Sequence, residues 1–199
     1  MSSILAWSPS RLAQWEQCPR KASYLYVHKH SEPQGAAAAE GARVHELAAQ
    51  FVQGRLTGLP DELLLFRQEF EQLRQLDVPV TCEQQHAFTS AMVPTGWFDA
   101  NAWLRVIFDV LIEHRDETLT IIDHKNGKIR DKDLEQCELY ACAGFVLFPA
   151  ASRVTTKLWY LTRGQEYEVT YTRAEADEIW PHWVERAQAM LGATEFPAR

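Results

Sequence analysis

The stretch from Trp103 to Lys128, WLRVIFDVLIEHRDETLTIIDHKNGK, sets the tightest limit on what this chain can fold into. Two β-rich runs, Leu104–Ile112 and Thr118–Lys125, flank the polar segment Glu113–Glu117, a pattern that predicts two strands joined by a charged loop. Each run carries charge where a core strand is normally apolar. Asp109 follows Val106, Ile107 and Phe108, while Asp123 and Lys125 follow Leu119, Ile121 and Ile122. Side chains two apart on a strand share a face, so the Asp123 carboxylate and the Lys125 ammonium are expected to project together, with Asp109 on the neighbouring strand able to join them. Two buried carboxylates are costly unless something binds there, and a divalent cation is the natural partner.

The rest of the chain supplies a core large enough to hold such a hairpin. A length of 199 residues suits one sizeable domain, and 46% hydrophobic residues with seven Trp and nine Phe exclude a disordered chain. We expect a single domain over 1–199, with a helical part at 1–60, a sheet core at 78–171 and a C-terminal helix at 172–199. The formal charge of −7 argues against a wholly basic, nucleic-acid-coating surface. Its distribution is uneven, however. Between Ser8 and His30, Arg11, Arg20, Lys21 and Lys29 face Glu16 alone, with His28 and His30 beside them, whereas 61–77 and 175–185 are acidic. The four cysteines, Cys18, Cys82, Cys137 and Cys142, form no C-x-x-C pair, and no signal-type leader or membrane-length apolar run is present. A cytoplasmic protein with reduced, buried thiols and no membrane contact is the expectation.

In chain order, Ser8-Pro9 reads as an N-cap followed by Pro at the first helical position, and Pro19 interrupts that helix. Ser31–Ala39 reads as a loop and Glu40–Leu56 as an amphipathic helix, with Val44, Leu47, Ala48, Phe51 and Val52 at helical spacing. Asp61–Leu76 is a further helix. Pro79–Ser90 is a strand containing Glu83, a polar residue whose role stays open. Pro94-Thr95-Gly96 is expected to be a turn. Asn126-Gly127 should stop the Asp123 strand and reverse it, after which Asp131 or Asp133 caps a helix running to about Phe148. Thr155–Leu161 and Glu166–Tyr171 form a second hairpin, and Thr172 caps a final helix kinked or restarted at Pro181.

Five short patterns then stand in a familiar order: S-x-S-x-L-x-x-W-x-x-C-P-x-x-x-x-Y from Ser8 to Tyr24, G-x-x-x-H-E from Gly41 to Glu46, the strand acid Asp109, Asp123-His124-Lys125, and Gln136-x-x-x-Tyr140. The set resembles the PD-(D/E)XK nuclease superfamily, in particular its RecB-type branch and the CRISPR-associated relatives of that branch. The resemblance implies an α/β fold, a restriction-endonuclease-like core with a central mixed β-sheet flanked by helices. It implies a metal-dependent deoxyribonuclease, an exonuclease of DNA recombination, repair or phage replication, in which Asp109, Asp123 and Lys125 are catalytic. His45, Asp109, Asp123 and the backbone carbonyl of His124 would bind Mg²⁺ or Mn²⁺. Gln136, Tyr140, Arg11, Arg20 and Lys21 would contact DNA. Asp99 rivals Asp109 for the first acid, but Asp109 lies inside a Val/Ile/Phe run whereas Asp99 with Asn101 has turn chemistry.

Members with an iron–sulfur cluster carry a cysteine trio near the C-terminus, and the absence of cysteine after Cys142 leads us to expect no such cluster. Implied partners are DNA, a single-strand annealing protein or recombination helicase, and further copies of the chain in a homo-oligomer. The alternative is a catalytically silent DNA-binding or assembly subunit of the same fold.

Overall fold

The structure is a computed structural model that describes residues 4–31 and 35–199. It is an α/β protein built on a mixed sheet of six strands flanked by helices. The strands are β1 (Val80–Phe88), β2 (Pro94–Thr95), β3 (Leu104–Glu113), β4 (Thr118–Lys125), β5 (Arg153–Tyr160) and β6 (Gln165–Thr172), in the order β2-β1-β3-β4-β5-β6. β3 and β4 form the expected antiparallel hairpin, with Val110 opposite Ile122 and Glu113 opposite Leu119. β4 and β5 run parallel, so the chain must cross over between them, and helix α5 (Asp131–Leu147) makes that crossing. No helix among the described residues is long and apolar enough to cross a membrane.

Contacts gather the chain into two compact units. The first contains the N-terminal segment with Gln85–Val106 and Glu178–Arg199. Here α1 (Pro9–Gln17) starts where Ser8 accepts a hydrogen bond from the Arg11 amide, and Pro19 opens the short helix α2 (Pro19–Ala22). Trp7 is fully buried, stacked on Trp183 at 5.8 Å and edge-on to Trp103 at 5.5 Å. Trp183 belongs to α6 (Arg173–Leu191), whose Arg186 clasps Glu16 of α1 through two hydrogen bonds of 2.8 and 2.9 Å.

The second unit contains the remaining chain up to Gln84 together with Ile107–Asp177. Helix α3 (Ala36–Val52) and helix α4 (Arg67–Gln75) lay Val44, Ala48, Phe51, Phe70 and Leu73 against Val110, Ile112, Ile122 and Trp159 of the sheet. On β4 the odd residues turn the other way, and Ile121 meets α5 at Gly144.

Four expectations need correction. The central helix runs from Ala36 to Val52 rather than from Glu40 to Leu56. Its alanine run favours helix, and Gly54, at φ +75°, terminates it early. Asp61–Leu76 splits into a 3₁₀ segment, Asp61–Phe66, followed by α4. Pro94 and Thr95 form no turn; they pair with Phe88 and Ala87 as an edge strand, where a missing amide costs least. Finally, β4 ends at Lys125, but Asn126-Gly127 leads out to α5 and not into a reverse turn. The expected loop Ser31–Ala39 falls partly on residues outside the described ones, and its last four residues are helical.

The approach of α5 to the sheet depends on Gly144. A Cβ there would stand 3.1 Å from Ile121 Cδ1 and 3.3 Å from Val154 Cγ1, inside ordinary contact distance. Gly144→Val should therefore destabilise the protein by about 1–3 kcal/mol through overpacking. Gly144→Ala should come out close to neutral, because ~1 kcal/mol of helix propensity offsets the tighter contact. Urea unfolding with an unchanged slope checks both.

Candidate metal centre

His45 sits on α3 one residue after Val44, a core residue, so the helix face that packs on the sheet also carries the imidazole to its edge. The ring is held from both sides. Nε2 lies 3.0 Å from the His124 carbonyl, which can only accept, and so Nε2 carries the proton. Nδ1 is left facing acids, 3.3 Å from Asp109 Oδ2 and 3.9 Å from Glu83 Oε1.

Asp109 reaches this point because β3 breaks its alternation. Phe108 packs edge-on against Tyr140 of α5, at 5.1 Å, whereas Asp109 meets His45 and the next residue, Val110, joins the α3/α4 core. Two consecutive side chains thus serve one face, the local signature of a bulge. Glu83 on β1 is likewise unusual for a strand residue, with φ +54°, a conformation that costs energy for a side chain of this size. Its Oε1 is buried without a hydrogen-bond partner.

Donor atoms of His45, Glu83 and Asp109 all lie within 4.8 Å of one another. Adjacent donors around a six-coordinate Mg²⁺-sized ion stand about 3 Å apart, so the His45–Asp109 separation of 3.3 Å is already close and the wider pairs would have to draw in. One nitrogen and two carboxylates, one of them with an unpartnered buried oxygen, fit a divalent cation. Burial lowers the His45 pKa, but the bond to Asp109 and the charges of Asp109, Asp123 and Glu83 prevail and lift it to about 9. Burial, assisted by the Asp109 charge, raises Glu83 to about 7. For Asp109 burial acts upward, yet the His45 contact outweighs it and the group stays below the usual carboxylate range. In the metal-free protein a proton on His45 neutralises the acids.

A second cluster adjoins Asp109 through the chain of β4. Asp109 Oδ2 accepts the His124 amide at 2.7 Å. Asp123 Oδ2 pairs with Lys125 Nζ at 2.7 Å, and Asp123 Oδ1 accepts from Gln136 Nε2 at 3.0 Å and the Tyr140 hydroxyl at 3.2 Å. Lys125 Nζ also donates to Gln136 Oε1 at 2.7 Å. Burial is the largest influence on Asp123 and pushes it up to about 6 against the pull of Lys125. Burial also acts to lower Lys125, but Asp123 prevails and the amine remains an ammonium. The His124 ring has no hydrogen-bond partner, although its Nδ1 lies 3.9 Å from Asp109 Oδ2. It lies among Phe70, Trp159 and His45 at centroid distances of 5.5 to 5.7 Å, and burial drives its pKa down to about 4.

The model of one family matches residues 6–199, and that family is the PD-(D/E)XK nuclease superfamily. The chain belongs to this superfamily. No curated protein matches it. Among solved structures 17 chains match, one being the crystal structure of SSO0001, at 14% identity and a TM-score of 0.48 over 98% of this chain and 79% of that one.

Within this PD-(D/E)XK fold the residues singled out from sequence fall into three groups. His45 and Asp109 share the three-donor cluster, while Asp123, Lys125, Gln136 and Tyr140 interlock beside it. Asp123 lies outside the three-donor set, and the His124 carbonyl accepts from His45. Arg11, Arg20 and Lys21 belong to the other compact unit, where Arg11 donates to the Ala6 carbonyl and lies 5.1 Å over the Tyr26 ring. Asp99 accepts the Asn101 amide at 2.7 Å, as turn chemistry requires. Glu83 is the donor whose place the sequence left open, between the strand Glu that RecB-type enzymes often carry before the metal-binding Asp and an ordinary surface pair.

These protonation states make stability depend on pH in a way a cation should cancel. His45 titrates higher folded (about 9) than unfolded (about 6.5), so its contribution is complete below pH 6.5 and is lost as pH rises towards 9. Glu83, about 7 folded against about 4.5 unfolded, loses its contribution over the window just below. Protein held in chelator should lose about 2–3 kcal/mol between pH 6.5 and 9. Excess Mn²⁺ should restore the midpoint, because bound cation replaces the lost proton. Equal unfolding midpoints with chelator and with Mn²⁺ at pH 9 would remove the cluster as a cation site.

Proposed function

We propose that the chain is a Mg²⁺- or Mn²⁺-dependent DNA exonuclease of the RecB-like branch, acting in recombination, repair or phage replication. The observation that carries this reading is the junction of the His45–Glu83–Asp109 donor set with the Asp123–Lys125–Gln136–Tyr140 cluster, joined by the Asp109–His124 amide bond. His45, Glu83 and Asp109 would hold the ion, with Asp123 and the His124 carbonyl as further oxygen donors. A bound divalent cation would supply positive charge to the phosphoryl oxygens and acidify the attacking water.

The chain's own groups supply the rest. Lys125 is kept charged by Asp123, so it serves best as a donor that orients the attacking water and offsets charge on the phosphate. Gln136 fixes the ammonium through one amide atom and Asp123 through the other, which allows neither to rotate away. Tyr140, buried and raised well above its ordinary pKa chiefly by desolvation, remains a phenol and steadies Asp123. An intact set of these groups favours an active enzyme over a silent subunit.

Lys125→Ala and Asp109→Ala should each lower Mg²⁺- or Mn²⁺-dependent DNA degradation by about 10²–10⁴-fold while the folded spectrum is retained. End-labelled linear and circular DNA, single- and double-stranded, would be incubated with either cation or with chelator. Circles should survive where linear molecules are consumed. Wild-type rates in Lys125→Ala would remove the lysine from the mechanism, and cleavage of circles would make the enzyme an endonuclease.

A further inference from the structure

The first compact unit contains a cavity of about 440 Å³ lined by Cys18, Arg20, Lys21, Tyr24, Leu25 and His30. That volume is typical of small-ligand sites, roughly 300–1,000 Å³. Its walls are shaped by an irregular backbone. After α2 the segment Ser23–Val27 widens into a π turn, closed by the His28 amide on the Ser23 carbonyl at 2.9 Å. The His30 amide returns to the Tyr24 carbonyl at 2.9 Å, and Lys29 between them holds φ +55°. Such turns lengthen a helix locally to aim side chains that a regular helix would direct elsewhere. The result is a group of rings, with Tyr24 at 6.0 Å from His28 and 5.8 Å from His30.

Tyr24 lines this cavity and is 50% exposed, so its ring is open to a ligand. Cys18 and Leu25 supply apolar surface beside it, and Arg20 and Lys21 also line the cavity. Among the described residues Arg20 pairs with no carboxylate. In a chain of net charge −7, this local excess of cations selects for an anionic ligand, and the exposed ring selects for one with a flat face. Nucleotides combine the two.

We propose that this cavity seats one unpaired nucleotide of a DNA strand, its base stacked on Tyr24 and its phosphate drawn to Arg20 and Lys21. The choice of DNA rests on the nuclease reading above; the need for an unpaired base rests on the pocket itself, since a ring can be stacked in this manner only after it leaves the duplex. Seating of this type is tolerant of sequence, because every base presents a π face. A frayed or resected end would therefore be bound in preference to a closed duplex.

The test is fluorescence anisotropy with a 5′-labelled oligothymidylate of about twelve nucleotides and a labelled blunt duplex of two complementary strands, both in EDTA to silence cleavage and cation binding. Tyr24→Ala should weaken oligothymidylate binding about tenfold and leave duplex binding unchanged, and Tyr24→Trp should restore oligothymidylate binding. Arg20→Ala should weaken binding and flatten its dependence on salt. Unchanged affinity in Tyr24→Ala, or an equal loss on both probes, would overturn the proposal. Cleavage assays of the same wild-type preparation in Mn²⁺ separate the two readings. Cleavage with Tyr24-independent binding overturns the pocket alone, whereas Tyr24-dependent binding without cleavage supports the pocket and overturns the nuclease reading.

Discussion

Two carboxylates, Asp109 and Asp123, are held almost wholly out of water on adjacent strands, and most of the second compact unit can be understood as the means of tolerating them. Left alone, a buried carboxylate would simply take up a proton. Here each acid is compensated differently. Asp109 receives a backbone amide and an imidazolium, and so stays ionised. Asp123 receives an ammonium, an amide and a phenol, and its pKa still rises to about 6. The asymmetry leaves one acid ionised beside an imidazolium and one acid that fixes a lysine.

Local structure follows from that division. β4 alternates regularly, sending Ile122 and His124 into the α3/α4 core while Asp123 and Lys125 face the helix that carries Gln136 and Tyr140. β3 and β1 do not remain regular. The shift between Phe108 and Val110, and the left-handed backbone at Glu83, aim two carboxylates at one imidazole on α3. Backbone strain persists when the surroundings over-determine it, and it concentrates where function requires an unnatural aim. The buried, unpartnered oxygen of Glu83 is the other half of that cost.

What could be read from residues alone divides along the same line. The β3–β4 hairpin, the pairing of Asp123 with Lys125 and the stacking of Gln136 above Tyr140 all follow from fixed periodicities, two on a strand and near four on a helix. They are visible because nothing tertiary contradicts them. Glu83 was left open as a donor, since a strand glutamate can equally be a surface-pairing residue and its positive φ is not written in the sequence. The inward burial of the His124 ring was not readable, because its neighbours Phe70 and Trp159 are distant in sequence. The reversal expected at Asn126-Gly127 failed for a related reason. A turn-forming dipeptide fixes a local bend, but whether the next strand runs antiparallel or crosses over is decided by where α5 can bury its face, and Gly144 against Ile121 and Val154 decided it.

Proton and cation are in effect competing ligands for one cluster. With no metal, His45 near 9 and Glu83 near 7 place at least one proton among three donors at neutral pH, which keeps the fold from paying for bare adjacent acids. A divalent ion bound there would have to displace that proton, so its affinity would fall as pH falls. The His124 carbonyl fixes the ring for either state. By accepting from Nε2 it leaves Nδ1 turned towards Asp109 and Glu83, so that nitrogen would be the one to release its proton to a cation and the imidazole would not need to rotate.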